Sequence, residues 1–330
     1  MKVFYPAYYH NFQCLAGSCP DSCCKEWTVD VDPASAEYYR QLEGPLGDRL
    51  RQVLTDTPEG TVMTIEDGRC PMWCQDGLCR IQAELGHEAL CRTCQDFPRL
   101  THDYGDFTEL GLELSCPEAA RLIFSCEDHF LAEARSGGAD PDYEPEVMNL
   151  LKKSRQAATE FLHSAENIPE ALAALLLYGH DVQLAIDSGF PVEHGPEDCL
   201  PELKNFQNDG ELAPVVNFFR ELEVLTPQWK LRLEQPEHRL CWKPETRKLA
   251  CYLANRYWLQ AISDYDLLCR VKLIVVSCLL VSALGGDFAQ TAQLFSKEIE
   301  NDPDNIEKIL DGAYSSPALT DANLLGLLLR

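Results

Sequence analysis

Apolar residues recur along this chain in two different rhythms. Beyond residue 144 the rhythm is that of a helix. Val147–His163, Pro169–Ser188, Ala213–Leu225, Lys248–Ile262, Asp266–Leu284, Ala289–Glu300 and Asn305–Tyr314 carry apolar residues three or four apart, the spacing that lines one helix face. Breakers such as Gly189, Pro191, Pro236, Pro244, Gly285–Gly286 and Pro303 separate them. Before residue 134 the pattern is mixed. Trp27–Asp32 and Thr61–Glu66 alternate enough to predict short strands, and Leu100–Cys116 alternates around Tyr104–Gly105–Asp106, which predicts a hairpin. Ala34–Leu54 spaces Tyr38, Leu42, Leu46, Leu50 and Leu54 as one helix would, and helical spacing resumes over Pro117–Phe130. Ala134–Tyr143 (ARSGGADPDY) reads as a linker. The fold expected is mainly α, with a small cysteine-rich α+β part over residues 1–133 and a helical domain over residues 144–330 packed against it.

The most apolar run, Leu273–Leu284, is twelve residues long and follows Arg270 and Lys272. That is too short for a bilayer and predicts a buried core helix. No apolar stretch of signal-peptide length opens the sequence, so a cytoplasmic chain without membrane association is expected. Charge narrows the partners. Against 28 Lys plus Arg stand 53 Asp plus Glu, a net −25. A chain this acidic is poorly suited to nucleic acid, where Lys and Arg must neutralise phosphates. The same excess is compatible with a cationic protein partner.

Cysteine changes the picture most. There are 16, and eleven fall within the first 126 residues. They form Cys14-x4-Cys19-x3-Cys23-Cys24, then Cys70-x3-Cys74-x4-Cys79, then Cys91-x2-Cys94, with Cys116 and Cys126 following. Short spacings let one loop aim two thiolates at the same centre, and a cytosolic protein seldom keeps structural disulfides. Side chains of adjacent Cys23 and Cys24 diverge, so the two suit different irons or different sites rather than one zinc knuckle. An all-thiolate soft-metal site is indicated, iron–sulfur ahead of zinc, with disulfides or inert buried thiols as the remaining reading. Cys199, Cys241, Cys251, Cys269 and Cys278 lie in or beside apolar helical runs and read as core. The histidines, His10, His87, His102, His129, His163, His180, His194 and His238, form no metal-binding pair by spacing and read as structural.

Four segments resemble one known family: Phe12–Asp32, Gly68–Arg99, Leu112–Ile123 and, more faintly, Tyr252–Val281. The run C-x4-C-x3-C-C-x2-W, then C-x-I-Q-x-x-L-G, then T-C-x-x-F-P-R, then S-C-P-E-A-A-R, in that order, is similar to the flagellin lysine-N-methylase family. The good match covers roughly residues 12–125. The resemblance implies methyl transfer from S-adenosylmethionine to lysine side chains of flagellin, in a protein that holds a [4Fe–4S] cluster. It maps the family's thiols onto Cys14, Cys19, Cys23, Cys24, Cys70, Cys79, Cys94 and Cys116. Cys74, Cys91 and Cys126 stand outside the pattern. Eight thiols exceed the four that one cluster needs, so either two metal sites exist or some of the eight are structural.

Methylation needs a neutral lysine amine, whose ordinary pKa is about 10.4, so the site must desolvate it or provide a base. Asp21, Asp30, Asp32, Asp96 and Tyr104 are the nearby candidates. Glu118 and Arg121, at i and i+3, also suit a surface pair. Arg99 and Arg121 are the preferred groups for holding a carboxylate. No G-x-G-x-G follows a strand, and no C-x3-C-x2-C of a radical enzyme is present. An iron with an open position, binding the amino-carboxylate end of the donor, is the expected alternative. The competing function is a non-catalytic cysteine-cluster carrier or adaptor binding zinc or iron.

Overall fold

The first strand of the protein finds its partners only a hundred residues later. In the computed structural model, which describes every residue except Glu26, Glu127, Asp128, Glu237 and His238, β1 (Lys2–Pro6) lies between two strands of later sequence. It runs parallel to β6 (Phe107–Leu112), with Lys2 opposite Phe107, and antiparallel to β7 (Phe130–Ala134), with Lys2 opposite Ala134. β5 (Arg99–Asp103) completes the order β5-β6-β1-β7. Everything between β1 and β5 is therefore an excursion from this sheet, and it carries nine of the cysteines.

The excursion has its own small core. Three antiparallel strands, β2 (Val29–Val31), β3 (Leu54–Thr57) and β4 (Gly60–Met63), order as β2-β4-β3. Helices α1 (Pro33–Gln41) and α2 (Gly44–Val53) accompany them, followed by the short α3 (Arg80–Leu85) and α4 (Arg92–Asp96). Val29, Val31, Tyr39, Leu50, Met63, Met72 and Ile81 bury together here, apart from the main core. The Tyr39 hydroxyl donates to the Ala89 carbonyl at 2.7 Å, so the one polar atom of that ring is satisfied.

The remainder is helical: α5 (Pro117–Ser125), α6 (Pro145–Ser164), α7 (Ile168–Ser188), α8 (Leu212–Arg220), α9 (Pro227–Glu234), α10 (Glu245–Tyr257), α11 (Leu268–Leu284), α12 (Phe288–Phe295), α13 (Pro303–Ser315) and α14 (Asp321–Leu328). Every residue of α11 is buried, as its unbroken apolar run predicts. Its two cations are buried with partners. Arg270 grips Asp264 at 2.9 Å, and Lys272 meets Asp321 at 2.9 Å and the Ala313 carbonyl at 2.8 Å. The four-stranded sheet packs on these helices within one continuous core. Glu109 of β6 and Arg155 of α6 lock the two through a two-pronged ion pair at 2.6 and 2.7 Å. Among the described residues no helix is long and apolar enough to cross a membrane.

The mainly helical class with a small α+β N-terminal part is what the structure shows. The details differ in instructive places. Leu42, Leu46, Leu50 and Leu54 keep their spacing, but the single helix expected over Ala34–Leu54 is two. Gly44, at φ +84°, and Pro45 restart it, because proline disfavours helical backbone just before itself. The helix expected over Pro117–Phe130 stops at Ser125, and Phe130 already begins β7. Cys241 is exposed rather than core, since it precedes α10 in an extended connection. The reading of His238 as structural falls outside the described residues.

Candidate metal centre

Two glycines let the cysteine loops meet. The Cys14–Cys19 segment turns through Ala16–Ser18, with the Ala16 amide directed at the Cys14 sulfur at 3.4 Å. A Cβ on Gly17 would lie 2.8 Å from the Asp76 carbonyl, and one on Gly77, at φ +80°, would lie 3.2 Å from the Gly17 Cα. Only bare backbone allows that approach, and it brings the loop of Cys14 and Cys19 against the loop of Cys79. Cys24 is tied to the same region, because the Cys70 amide donates to its carbonyl at 2.8 Å.

The main body contributes the opposite wall. Cys116 is the N-cap of α5, and the amides of Glu118 and Ala119 point toward its sulfur. Burial outweighs them and pushes this thiol up to about 11. Lys297 comes from a π-helical turn, Ser296–Glu300, that continues α12. Its ammonium lies 3.1 Å from Asp21. Burial pushes the Asp21 carboxyl up, but Lys297, the Ser22 amide and Lys25 together hold it below its ordinary value.

The result is a cavity of about 250 Å³ between excursion and body, into which Cys14, Cys19, Cys23, Cys24, Cys79, Cys94 and Cys116 face. Of the eight thiols singled out in the sequence, only Cys70 is set back from its lining. Cys70 is buried behind Cys24, with Met63 Sδ at 3.5 Å. Phe12, Trp27 and Phe97 supply aromatic walls, with Trp27 edge-on to Phe97 at 5.5 Å. Arg99 and Glu118 reach the cavity. Tyr104 does not. It stacks on Phe107 at 4.7 Å in the β5–β6 turn, and burial pushes its hydroxyl pKa up. Arg121 lies outside the lining too, on the surface of α5, bound to Glu118 at 2.7 and 2.8 Å. Among the acids, Asp32 caps α1 and Asp96 pairs with Arg92, so both serve local structure. His102 lines a separate small cavity and is held below its ordinary pKa by burial. Lys297 is the lining residue that sequence reasoning missed. No local pattern marks it, since its partner is 276 residues away.

The thiols act on one another. Cys23 is raised by its contact with Cys24 and by burial, and it feels the charges of Cys14 and Cys116; Cys116 in turn feels Cys19 and Cys14. Cys24 is pulled down to about 3 by the thiols of Cys23 and Cys70 against the cost of burial. Cys70 feels Cys79, and Cys79 feels Cys24. Cys94 is raised by its neighbour Cys91 and by burial, and feels Cys24 and Cys23. Cys23 and Cys24 are in contact with each other; Cys23 also feels Cys14 and Cys116, Cys24 also contacts Cys70, and Cys94 feels both members of the pair. Spacing bears on the metal. Four sulfurs around one zinc, each at about 2.3 Å, stand only ~3.8 Å apart. Among the described residues the one trio of His, Cys, Asp and Glu ligand atoms within 4.8 Å of one another contains a single cysteine. No three thiols among the described residues lie that close together, although Cys23 touches Cys24 and Cys24 touches Cys70.

A further cavity of about 300 Å³ shares Cys23, Trp27, Cys94 and Phe97 with the first and adds Asp30, Glu113 and Glu300. Burial raises the Glu113 carboxyl. Glu300 is held by Arg256 at 3.3 Å and by the Tyr257 hydroxyl at 3.0 Å.

Comparison with known proteins bears out the resemblance carried by the cysteine segments. The chain is 29% identical over 141 residues to "Flagellar biosynthetic protein FliU" of Salmonella muenchen, a match covering 39% of this chain and 80% of that protein. It is equally similar, 29% over 141 residues, to proteins named "Lysine-N-methylase" from Salmonella choleraesuis (strain SC-B67) and Salmonella typhimurium (strain LT2). There the match spans about a third (34%) of the relatives' length. No family model matches the chain, and no solved structure matches it.

Proposed function

We propose that the protein transfers a methyl group from S-adenosylmethionine to lysine side chains of flagellin and carries iron–sulfur chemistry in its thiol cavity. The observation that carries this reading is the convergence of seven of the eight family-matching thiols on one cavity that also holds Arg99 and aromatic walls. The similarity to lysine-N-methylases over 39% of the chain supports it.

The donor set fits a [4Fe–4S] cluster. Seven soft thiols converge on one cavity, Cys116 buried, Cys14 and Cys23 open to solvent and the rest between. Cys14, Cys19, Cys23 and Cys116 would hold one cluster, and Cys24, Cys79 and Cys94 a second, with Cys70, set back behind Cys24, brought in as its fourth ligand. When bound, a cluster supplies iron for Lewis-acid or one-electron chemistry. The chain's own groups do the rest. Arg99, whose guanidinium lies 5.1 Å over the Phe12 ring, would take the donor carboxylate. The faces of Trp27 and Phe97 suit the sulfonium cation. The acidic cavity behind them suits an incoming lysine. In the transfer, the methyl–sulfur bond breaks as the methyl–nitrogen bond forms, sulfur keeps the electron pair, and the amine proton passes to a carboxylate at the cavity edge. The apolar wall favours the neutral amine that the step requires.

The test is anaerobic purification followed by iron and sulfide analysis, then mass spectrometry of flagellin lysines after incubation with S-adenosylmethionine. Brown protein and added mass in multiples of a methyl group are expected. Iron-loaded protein that leaves flagellin unchanged would overturn the enzyme and leave a metal carrier. Colourless protein holding zinc would overturn the cluster.

A further inference from the structure

Away from the thiol cavity, three side chains of different chemistry converge where α7 meets the segment after it. Asp181 projects from α7, His194 lies in the connection, and Cys199 lies in the 3-10 helix Pro196–Asn205. Gly195 and Asp198 brace the turn, since the Gly195 amide donates to the Asp198 carboxylate at 3.1 Å and the Asp198 amide returns to the Gly195 carbonyl at 3.2 Å. That turn brings the side chains of His194 and Cys199, five residues apart, to the same carboxylate.

We infer that Asp181, His194 and Cys199 form a second, zinc-class metal site, independent of the thiol cavity. The geometry is that of a ligand set. His194 Nε2 lies 3.5 Å and Cys199 Sγ 3.8 Å from the same Asp181 oxygen, and all three atoms fall within 4.8 Å of one another. Ligands at about 2.0–2.3 Å from one tetrahedral ion stand ~3.3–3.7 Å apart, so an ion fits between them with only small shifts. The tautomer agrees. His194 Nδ1 lies 3.2 Å from the Gly195 carbonyl, which places the proton of the neutral ring on Nδ1. In that tautomer the Nε2 lone pair faces the Asp181 carboxylate at 3.5 Å, and a metal ion would take the place between them that a proton holds in the charged ring. This carbonyl-to-imidazole arrangement is the usual outer support of a metal-bound histidine. Tyr178 fixes the ring from the side, edge-on at 5.9 Å.

The donors choose the ion. One sulfur, one nitrogen and one oxygen suit zinc, whereas calcium and magnesium take oxygen alone. Asp198 and Glu202 add negative charge near the thiol. Cys199 is 2% exposed, but the His194 and Asp181 side chains are 39% and 44% exposed. An ion can enter from solvent, and three protein ligands leave a fourth position for water.

The test is equilibrium dialysis of the full chain against zinc, with bound metal counted for wild type, His194→Ala and Cys199→Ser. Each variant is expected to hold one zinc fewer than wild type, whatever the N-terminal thiols retain. Cobalt(II) in place of zinc should give a thiolate charge-transfer band that is diminished in Cys199→Ser. Equal zinc counts in wild type and His194→Ala would overturn the proposal. Circular dichroism of metal-free His194→Ala, changed at a partly exposed position, checks that a lost ion is not a lost fold.

Discussion

The ammonium of Lys297 sits 3.1 Å from the carboxylate of Asp21, joining the two sides of the thiol cavity. Lys297 is 4% exposed, and Asp21 is flanked on its other side by Lys25 at 3.6 Å. The contact fixes the Cys19–Cys24 loop against the helical body, and with it the spacing of the thiols across the cavity.

Replacing Lys297 with methionine keeps the bulk and removes the charge. Lys25 still partners Asp21, so the expected loss of stability is moderate, about 1–3 kcal/mol, read from urea unfolding. A loss too small to measure would show that the contact does not hold the cavity wall.

A larger loss is expected where one charge would be left buried. Arg155 and Glu109 pair with side chains only 13% and 7% exposed. Arg155→Leu strands the Glu109 carboxylate between β6 and α6 and should cost about 3–5 kcal/mol. Changing Glu109 to Gln in the same protein should recover part of that, because it removes the stranded charge.

Asp32 caps α1 through the Ser35 amide at 3.0 Å and reaches the Arg92 amide at 2.9 Å, so one carboxylate anchors two helices. The Arg92 amide and Ser35 hold its pKa down to about 2. A depressed native pKa means that the unfolded chain binds the proton more readily. The stabilisation is therefore complete above the ordinary value of about 3.9 and fades as pH falls toward 2. Asp32→Ala should cost about 1 kcal/mol at neutral pH. Unfolding midpoints of mutant and wild type should approach each other below pH ~4.

Two clusters, one on Cys23 and the other on Cys24, would have separable metal contents. Cys23→Ser should lower iron per chain to about half, and Cys24→Ser should lower it by the same amount through the other set, each cluster needing four thiolates. The double variant should hold little iron. If either single change removes all of it, the eight thiols serve one site.

Much of this was legible in the sequence because it is local. Helical spacing marked α6, α7, α11 and α13 to within a few residues, and alternation marked the β5–β6 hairpin. What stayed hidden depends on distant partners. β1 is five residues whose neighbours in the sheet come more than a hundred positions later. β7 and the end of α5 were hidden for the same reason, since helical spacing there yields to pairing with β1. The thiols could be named from their pattern, and Arg99 with them. Their convergence on one cavity could not, because it follows from Gly17 meeting Gly77 and from Cys116 arriving on another element. His194 and Cys199 look inert in sequence, and only the fold sets them beside Asp181.

The composition of the cavity wall also sets a clock. All eight thiols have left the ribosome once Cys116 has, but Lys297 follows 181 residues later. At about 5–20 residues per second, that interval is roughly 10–40 s. During it the cysteine excursion, with its separate small core, lacks the Lys297 side of the cavity wall. A metal reaching the nascent chain would meet these thiols before Lys297 and Asp21 join the two sides of the cavity, whereas in the finished protein it would meet Cys14 and Cys23 first, the two left exposed.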